Sequence, residues 1–504
     1  MSKHLAVRLL LLALANPFLF VPNALSQESK NYALIKPGEP LEQIVRQAAN
    51  VVPSPRQLAW QEREFIAFAH FGLNTFTDRE WGEGKENPSS FNPTGFDARQ
   101  WVKVIKAAGM KMLILTAKHH DGFCLWPSKY TEHSVKNSPW RNGKGDVVKE
   151  VAQACRESGT QFGVYLSPWD RHERTYGDSP AYNEHFRNQL RELLTNYGVV
   201  SEVWFDGACG EGPNGKKQVY DWQSYYRVIR ELQPQAVIAI MGPDVRWVGT
   251  ESGYGRETEW SVVPNLLLNP DAIAAPSQQN PIDAALVPRD LTDEDLGSRE
   301  KIRNATALVW YPAETDVSIR PGWFYHQSQD AQVKSPEKLV DIYYSSVGKN
   351  SVLLLNIPPD KRGRINEADI KSLMGMRRIL DRTFKTNLVE DARVTSDRSN
   401  ATYWTTEDGV ESAVLELDLP KERTFDRAML QENIRLGQRV EAFRLEAWDG
   451  KVWKEFTKGT TIGYKRLLRF PAVTANKVRL VIDASRTSPT LASFGLFKSP
   501  SDFR

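Results

Sequence analysis

Between Phe65 and Asn356 the chain alternates short, almost wholly apolar runs with longer amphipathic stretches, and this alternation restricts the fold more than any other feature. The runs Phe65–Ala69, Leu113–Ala117, Gln161–Leu166, Glu202–Asp206 and Ala236–Ile240 lack the apolar/polar alternation of a half-exposed strand, so they read as strands buried on both faces. The stretches between them have helical spacing. Trp101, Val104, Ile105 and Ala108 follow a capping Asp97, and Val147, Val148, Val151 and Cys155 lie between Asp146 and a stop at Gly159. Pro180 to Tyr197 and Trp222 to Leu232 continue the pattern. Strand, helix, strand in succession predicts a parallel sheet covered by helices. The tally runs on through Ala305–Trp310 and Ser351–Asn356, with a helix started by Ser335-Pro336-Glu337 between them. That leaves room for about eight strands, the number that closes a (β/α)8 barrel. The Pro-, Asp- and Asn-rich stretch from Thr258 to Asn304 leaves the sixth and seventh units unresolved, so an irregular barrel is expected.

At 504 residues the chain is too long for one ordinary core. After a helix around Asn366 to Leu380, the period changes to two from about Val389, as in Val414–Leu417, Phe443–Ala447 and Val478–Ile482. The expectation is a TIM-type barrel with an N-terminal extension over residues 27–385, then an antiparallel β-sandwich over 386–504. Residues 1–26 read as a secretory signal: Lys3, His4 and Arg8 precede the apolar run from Leu9, and Ala24-Leu25-Ser26 offers a small-residue cleavage site. A periplasmic or secreted protein follows, with no membrane insertion once the signal is cleaved, because Pro17 and Pro22 interrupt the only apolar stretch considered for spanning. The formal charge of +3 falls to +1 without Lys3 and Arg8, which argues against nucleic acid or anionic membranes as partners. Cys124, Cys155 and Cys209 have neither metal-knuckle nor disulfide spacing and read as buried thiols. Oligomeric state is not legible.

The apolar runs end in polar groups. Phe65–Ala69 leads into His70, Leu113–Ala117 into Lys118-His119-His120-Asp121, and Val203-Trp204-Phe205 into Asp206-Gly207. An Asp after a strand is often only a turn former or helix cap. Three consecutive strands delivering imidazole and carboxylate groups at one end instead suggest a site, since barrel chemistry sits at the strand C-termini. Trp81, Trp126, Trp169, Trp204, Trp247, Trp310 and Trp323 crowd the same segments. Indole faces beside hydrogen-bonding groups suit a sugar, although for any single one of these tryptophans a core position is the simpler reading. Adjacent His119 and His120 point to opposite sides of a strand, a poor chelate, so hydrogen bonds to hydroxyls are preferred and no metal or cofactor is expected.

The segments His70–Phe76, Asp78–Gly82, Ala117–Phe123, Tyr165–Asp170 and Val203–Gly207 resemble the α-L-fucosidases of glycoside hydrolase family 29, and the similarity extends from about Phe65 into the sandwich. Within that family, Asp78-Arg79-Glu80-Trp81-Gly82 and Arg320–His326 resemble the subgroup acting on α-1,3/1,4-linked fucose. The resemblance implies a retaining exo-hydrolase that releases terminal L-fucose from oligosaccharides or glycoconjugates through a covalent fucosyl-enzyme. It implies Asp206 as nucleophile and Glu251 as acid/base, with Glu259 and then Glu257 as alternatives. It further implies His70, His119, His120 and Tyr165 as fucose-hydroxyl ligands, and Trp81, Trp204 and Trp323 as pocket walls. The C-terminal part resembles galactose-binding-like sandwiches, where Trp404, Trp448 and Trp453 are expected to pack rather than bind. Alternatives are the broad-specificity branch of the family and a non-catalytic glycan-binding protein, the latter opposed by the retained Asp206 and His119-His120.

Overall fold

The computed structural model describes residues 30–265, 294–394 and 403–501. Eight parallel strands form its centre: β1 (Phe65–Ala69), β2 (Met112–Lys118), β3 (Gln161–Leu166), β4 (Glu202–Phe205), β5 (Val237–Ile240), β6 (Arg246–Trp247), β7 (Ala313–Ser318) and β8 (Ser351–Asn356). Their order is β5-β4-β3-β2-β1-β8-β7-β6, and a single parallel bridge between Ala239 and Val245 joins the two ends into a nearly closed barrel. Every residue of β1 and β2 is buried, which is why these strands are apolar except for Thr116 and Lys118, whose polar groups are hydrogen-bonded or paired.

Helices Ala98–Ala107, Val147–Ser158, Ser179–Asn196, Trp222–Leu232, Pro336–Ser345 and Glu367–Thr383 cover the outside. Their starts are chemical. Asp97, Asp146 and Ser335 each accept the backbone N–H three residues on, and Gly159 ends its helix at φ 71°. Between β5 and β6 there is no helix. Ile240 turns the chain at φ 64°, a conformation β-branched residues rarely adopt. Asp244 supports that turn by accepting from the Ile238 N–H at 2.8 Å and pairing with Arg56 and Arg230.

One expected strand belongs elsewhere. Ala307–Trp310, counted above as part of the barrel run Ala305–Trp310, pairs antiparallel with Tyr32–Leu34 and Val262–Pro264 in a small separate sheet. Its place in the barrel is taken by β7, whose Glu314, Thr315 and Asp316 disguise a fully buried strand. Interior indoles account for the disguise: Trp204 donates to Glu314 and Trp247 to Asp316, both at 2.7 Å.

Among the described residues, seven antiparallel strands make up the C-terminal domain: Arg393–Val394, Trp404–Thr405, Ala413–Glu432, Val440–Trp448, Trp453–Gly459, Arg466–Ser485 and Thr490–Phe497. Register breaks bend the long Ala413–Glu432 strand around a core that includes Phe425, Leu430, Phe443 and Ile482. Trp404 is in that core, while Trp448 and Trp453 pack on each other with the Arg479 guanidinium over Trp453. The domain sits under the strand N-termini. Lys465 pairs with Glu64 just before β1, and Asn350 just before β8 accepts from the Tyr464 N–H at 2.7 Å.

The expected signal at 1–26 lies outside the described residues, as does much of the Thr258–Asn304 stretch. Among the described residues no helix is long and apolar enough to cross a membrane.

Candidate active site

At the opposite end, the strand C-termini bring the sequence-derived residues into one cleft. His70 follows β1, His119 and His120 follow β2, Tyr165 lies near the end of β3, and Asp206 follows Trp204-Phe205 of β4. Their rings form a continuous chain. Trp323 is 5.0 Å from His70, His70 5.5 Å from His119, His119 4.1 Å from His120, and His120 5.4 Å from Trp81. Tyr165 contacts both His119 and Trp204. The chain leaves β2 at Lys118, so the adjacent imidazoles escape strand alternation and reach the same space.

Asp206 opens onto this cleft, with about a quarter of its side chain exposed. One carboxylate oxygen accepts the Ala208 N–H at 2.6 Å, an Asx-type turn that fixes the side chain. The other accepts from the Tyr165 hydroxyl at 3.3 Å and lies 3.8 Å from His120 Nε2. Loss of surrounding water raises its pKa to about 6, even though both hydrogen bonds favour the ionised form.

Burial disfavours the charged form of all three imidazoles. Burial lowers His70 and His120 to about 3 and His119 well below its usual value. The Ser167 hydroxyl donates to the Trp169 carbonyl at 2.6 Å, so it accepts from His120 Nδ1 at 2.8 Å, and the Nε2 of His120 keeps a bare lone pair. A ligand here must bring hydroxyl hydrogens. The motif residues Lys118 and Asp170 are structural by contrast: their buried 2.8 Å ion pair ties the loops after β2 and β3.

The three glutamates separate cleanly. Glu251, in the loop after β6, is exposed at the cleft and accepts from the Trp323 indole N–H at 3.1 Å. Its carboxyl rises to about 7 through local desolvation and the negative charges of Asp206 and Glu80, against the indole hydrogen bond. Glu259 is fully buried between Arg246 and Arg256, and its backbone N–H donates to the Thr461 hydroxyl of the C-terminal domain. It is not a cleft residue. Glu257 pairs with Lys349 at 2.9 Å and with Arg466, again on the side of the C-terminal domain. Both alternatives to Glu251 are thereby removed from the cleft.

Sequence reasoning passed over two groups at the same strand ends: Asn356 ends β8 and Ser318 ends β7. Trp169, one of the tryptophans noted in the sequence, packs on Trp81 and His120. The rule that singled out Asp206, a polar residue closing an apolar run, also fits Leu353-Leu354-Leu355-Asn356. Trp126 and Trp310 are core tryptophans outside the cleft, bonded to Glu192 and Gln61.

Comparison with known proteins agrees with this arrangement. The Alpha-L-fucosidase family profile matches residues 46–383, and the F5/8 type C domain profile matches residues 383–494. "Alpha-L-fucosidase 1" of Arabidopsis thaliana is 42% identical over 505 residues, covering 95% of this chain and 92% of that protein. The crystal structure of a Bacteroides ovatus protein is 55% identical with a TM-score of 0.83, covering 93% of this chain and 78% of that one. A Ruminococcus gnavus GH29 fucosidase in complex with fucose superimposes with a TM-score of 0.76 at 33% identity, over 90% of this chain and 96% of that one. The chain belongs to the α-L-fucosidases of glycoside hydrolase family 29.

Proposed function

We propose that the protein is a retaining exo-α-L-fucosidase for terminal α-1,3/1,4-linked fucose on oligosaccharides or glycoconjugates. The observation carrying this reading is a pair of carboxyl groups, Asp206 and Glu251, held by a phenol, a backbone N–H and an indole at one cleft of imidazoles and indoles. Ionised Asp206 attacks the anomeric carbon while protonated Glu251 gives its proton to the departing glycosidic oxygen. Glu251, now a carboxylate, takes a proton from water, and that water opens the fucosyl ester with net retention. His70, His119, His120 and Tyr165 hold the sugar hydroxyls, and Trp81, Trp204 and Trp323 wall the pocket.

The linkage preference draws support from the two segments whose resemblance points to that subgroup, because they form one physical unit. Glu80 accepts the backbone N–H groups of Trp323 and Phe324 at 2.7 and 3.2 Å, and His326 bridges Asp78 and Glu80 at 2.7 and 2.6 Å. A Cβ on Gly322 would stand 2.3 Å from a Glu80 oxygen, so a larger residue there would push the Glu80 carboxylate out of its bonds to Trp323 and Phe324. This clamp holds Trp323 beside Glu251, where the leaving group departs. The test is fucose release from a Lewis-type trisaccharide against a nitrophenyl fucoside and α-1,2- or α-1,6-linked fucosides, with the first-formed anomer followed by NMR. Preference for the branched trisaccharide with α-fucose formed first is expected; indifference to linkage or initial β-fucose overturns the respective half. An extracytoplasmic location belongs to the same reading and rests on the composition of residues 1–26. N-terminal sequencing of the mature protein tests it.

A further inference from the structure

Asn356 uses all of its hydrogen-bonding capacity without facing solvent. Its side-chain oxygen accepts from the His70 backbone N–H at 3.2 Å and meets His70 Nδ1 at 2.9 Å. Its amide nitrogen donates to the Trp323 carbonyl at 2.8 Å and to the Ser318 hydroxyl at 2.9 Å. Two of these partners leave no choice: a backbone N–H only donates and a carbonyl only accepts, so the amide has one possible orientation. The atom facing His70 Nδ1 is therefore an oxygen, Nδ1 must carry the ring hydrogen, and Nε2 must present a lone pair. The same amide grips the carbonyl of Trp323, whose indole donates to Glu251. Ser318 adds a second hold on that loop by donating to the Gly322 carbonyl at 2.7 Å.

We propose that Asn356 is a positioning residue that sets His70 as an acceptor of a sugar hydroxyl and ties this ring to the loop supporting Glu251, so that one buried amide registers the sugar-binding and proton-donating halves of the site. The inference rests on the proposed ligand role of His70 and goes beyond it by naming what fixes the tautomer. Burial keeps the ring neutral, consistent with a single tautomer.

The test combines 15N NMR of the histidine rings with kinetics across pH. In the native enzyme, His70 is expected as the neutral Nδ1–H tautomer between about pH 5 and 8; an Nε2–H tautomer or a titrating ring overturns the proposal without any mutation. In Asn356→Asp, a carboxylate faces Nδ1 and favours the imidazolium. Nε2 then turns from acceptor to donor below the new ring pKa. KM should rise about tenfold toward acid and recover toward alkali, an ionisation absent from the native profile, whereas mere loss of packing would change activity equally at every pH. Ser318→Ala removes the hold on the Gly322 carbonyl and one of the two acceptors of the Asn356 amide, whose orientation the Trp323 carbonyl still fixes, so kcat on glycans should fall a few-fold with the His70 tautomer unchanged. A native-like pH profile and unperturbed His70 in a folded Asn356→Asp protein overturn the proposal. If the ring titrates as expected and KM stays flat, Asn356 controls the tautomer as proposed and the ligand role of His70 is what fails.

Discussion

Both ends of the barrel hold carboxylates at the margins of the structure's core, and they treat them oppositely. At the strand N-termini, Glu259 lies between Arg246 and Arg256, and Glu257 between Lys349 and Arg466. At the strand C-termini, among the described residues, neither Asp206 nor Glu251 pairs with a lysine or arginine. Their partners are a phenol, an indole, a backbone N–H and neutral imidazoles. Compensated charge at one end holds the C-terminal domain to the barrel, and Arg466 and Lys349 keep Glu257 below the usual carboxyl range against the effect of burial. Uncompensated charge at the other end lifts Asp206 to about 6 and Glu251 to about 7, the direction acid/base chemistry near neutrality needs.

Substitution at the two ends should therefore have opposite signatures. The largest effect is expected for Asp206→Ala, a loss of roughly 10^4-fold or more in kcat, partly restored by azide, with a melting temperature equal to or above the native one because a desolvated charge has been removed. Glu251→Gln should lower turnover of natural glycans by about 10^2 to 10^4-fold yet barely slow substrates with good leaving groups, read from parallel kcat measurements; equal losses on both would contradict its role. Glu259→Ala reverses the pattern. It strands two buried arginines and should destabilise the protein by about 3–5 kcal/mol in denaturant unfolding, while the folded fraction keeps native kcat. The smallest effect belongs to Glu257→Ala, about 1 kcal/mol or less, since its side chain is more than half exposed. A comparable loss from Glu257→Ala and Glu259→Ala would break the distinction between buried and surface pairing.

The same comparison predicts a pH profile. The proposed mechanism needs Asp206 ionised, so activity should fall as pH drops through about 6, and Glu251 protonated, so it should fall as pH rises through about 7. The kcat/KM profile should be a narrow bell between those limbs. In Glu251→Gln the alkaline limb should disappear and the acid limb remain.

What could be read in the chain follows the same physics. Strands β1 to β5 and β8 were legible because burial on both faces demands apolar residues, and Asp206, His70 and the His119-His120 pair stood out as polar interruptions. β7 was not legible, since Glu314 and Asp316 accept from indoles on other strands, Trp204 of β4 and Trp247 of β6, a partnership that hydropathy along one segment does not contain. β6 has only Arg246 and Trp247, too short for any period to register. Ala307–Trp310 has the right texture and the wrong partners. The candidate glutamates illustrate the limit most sharply: Glu251, Glu257 and Glu259 share one loop region, and only the arginines reaching them from elsewhere tell structural carboxylates from the one left free in the cleft.

The central claim is that Asp206 carries the sugar between the two steps. Incubation with a fluorinated fucosyl fluoride, which forms the ester quickly and releases it slowly, followed by peptide mass mapping, tests it directly. A single fluorofucosyl adduct on Asp206 is expected, abolished in Asp206→Ala. An adduct on any other residue would contradict the account, as would turnover of the reagent with no trapped ester.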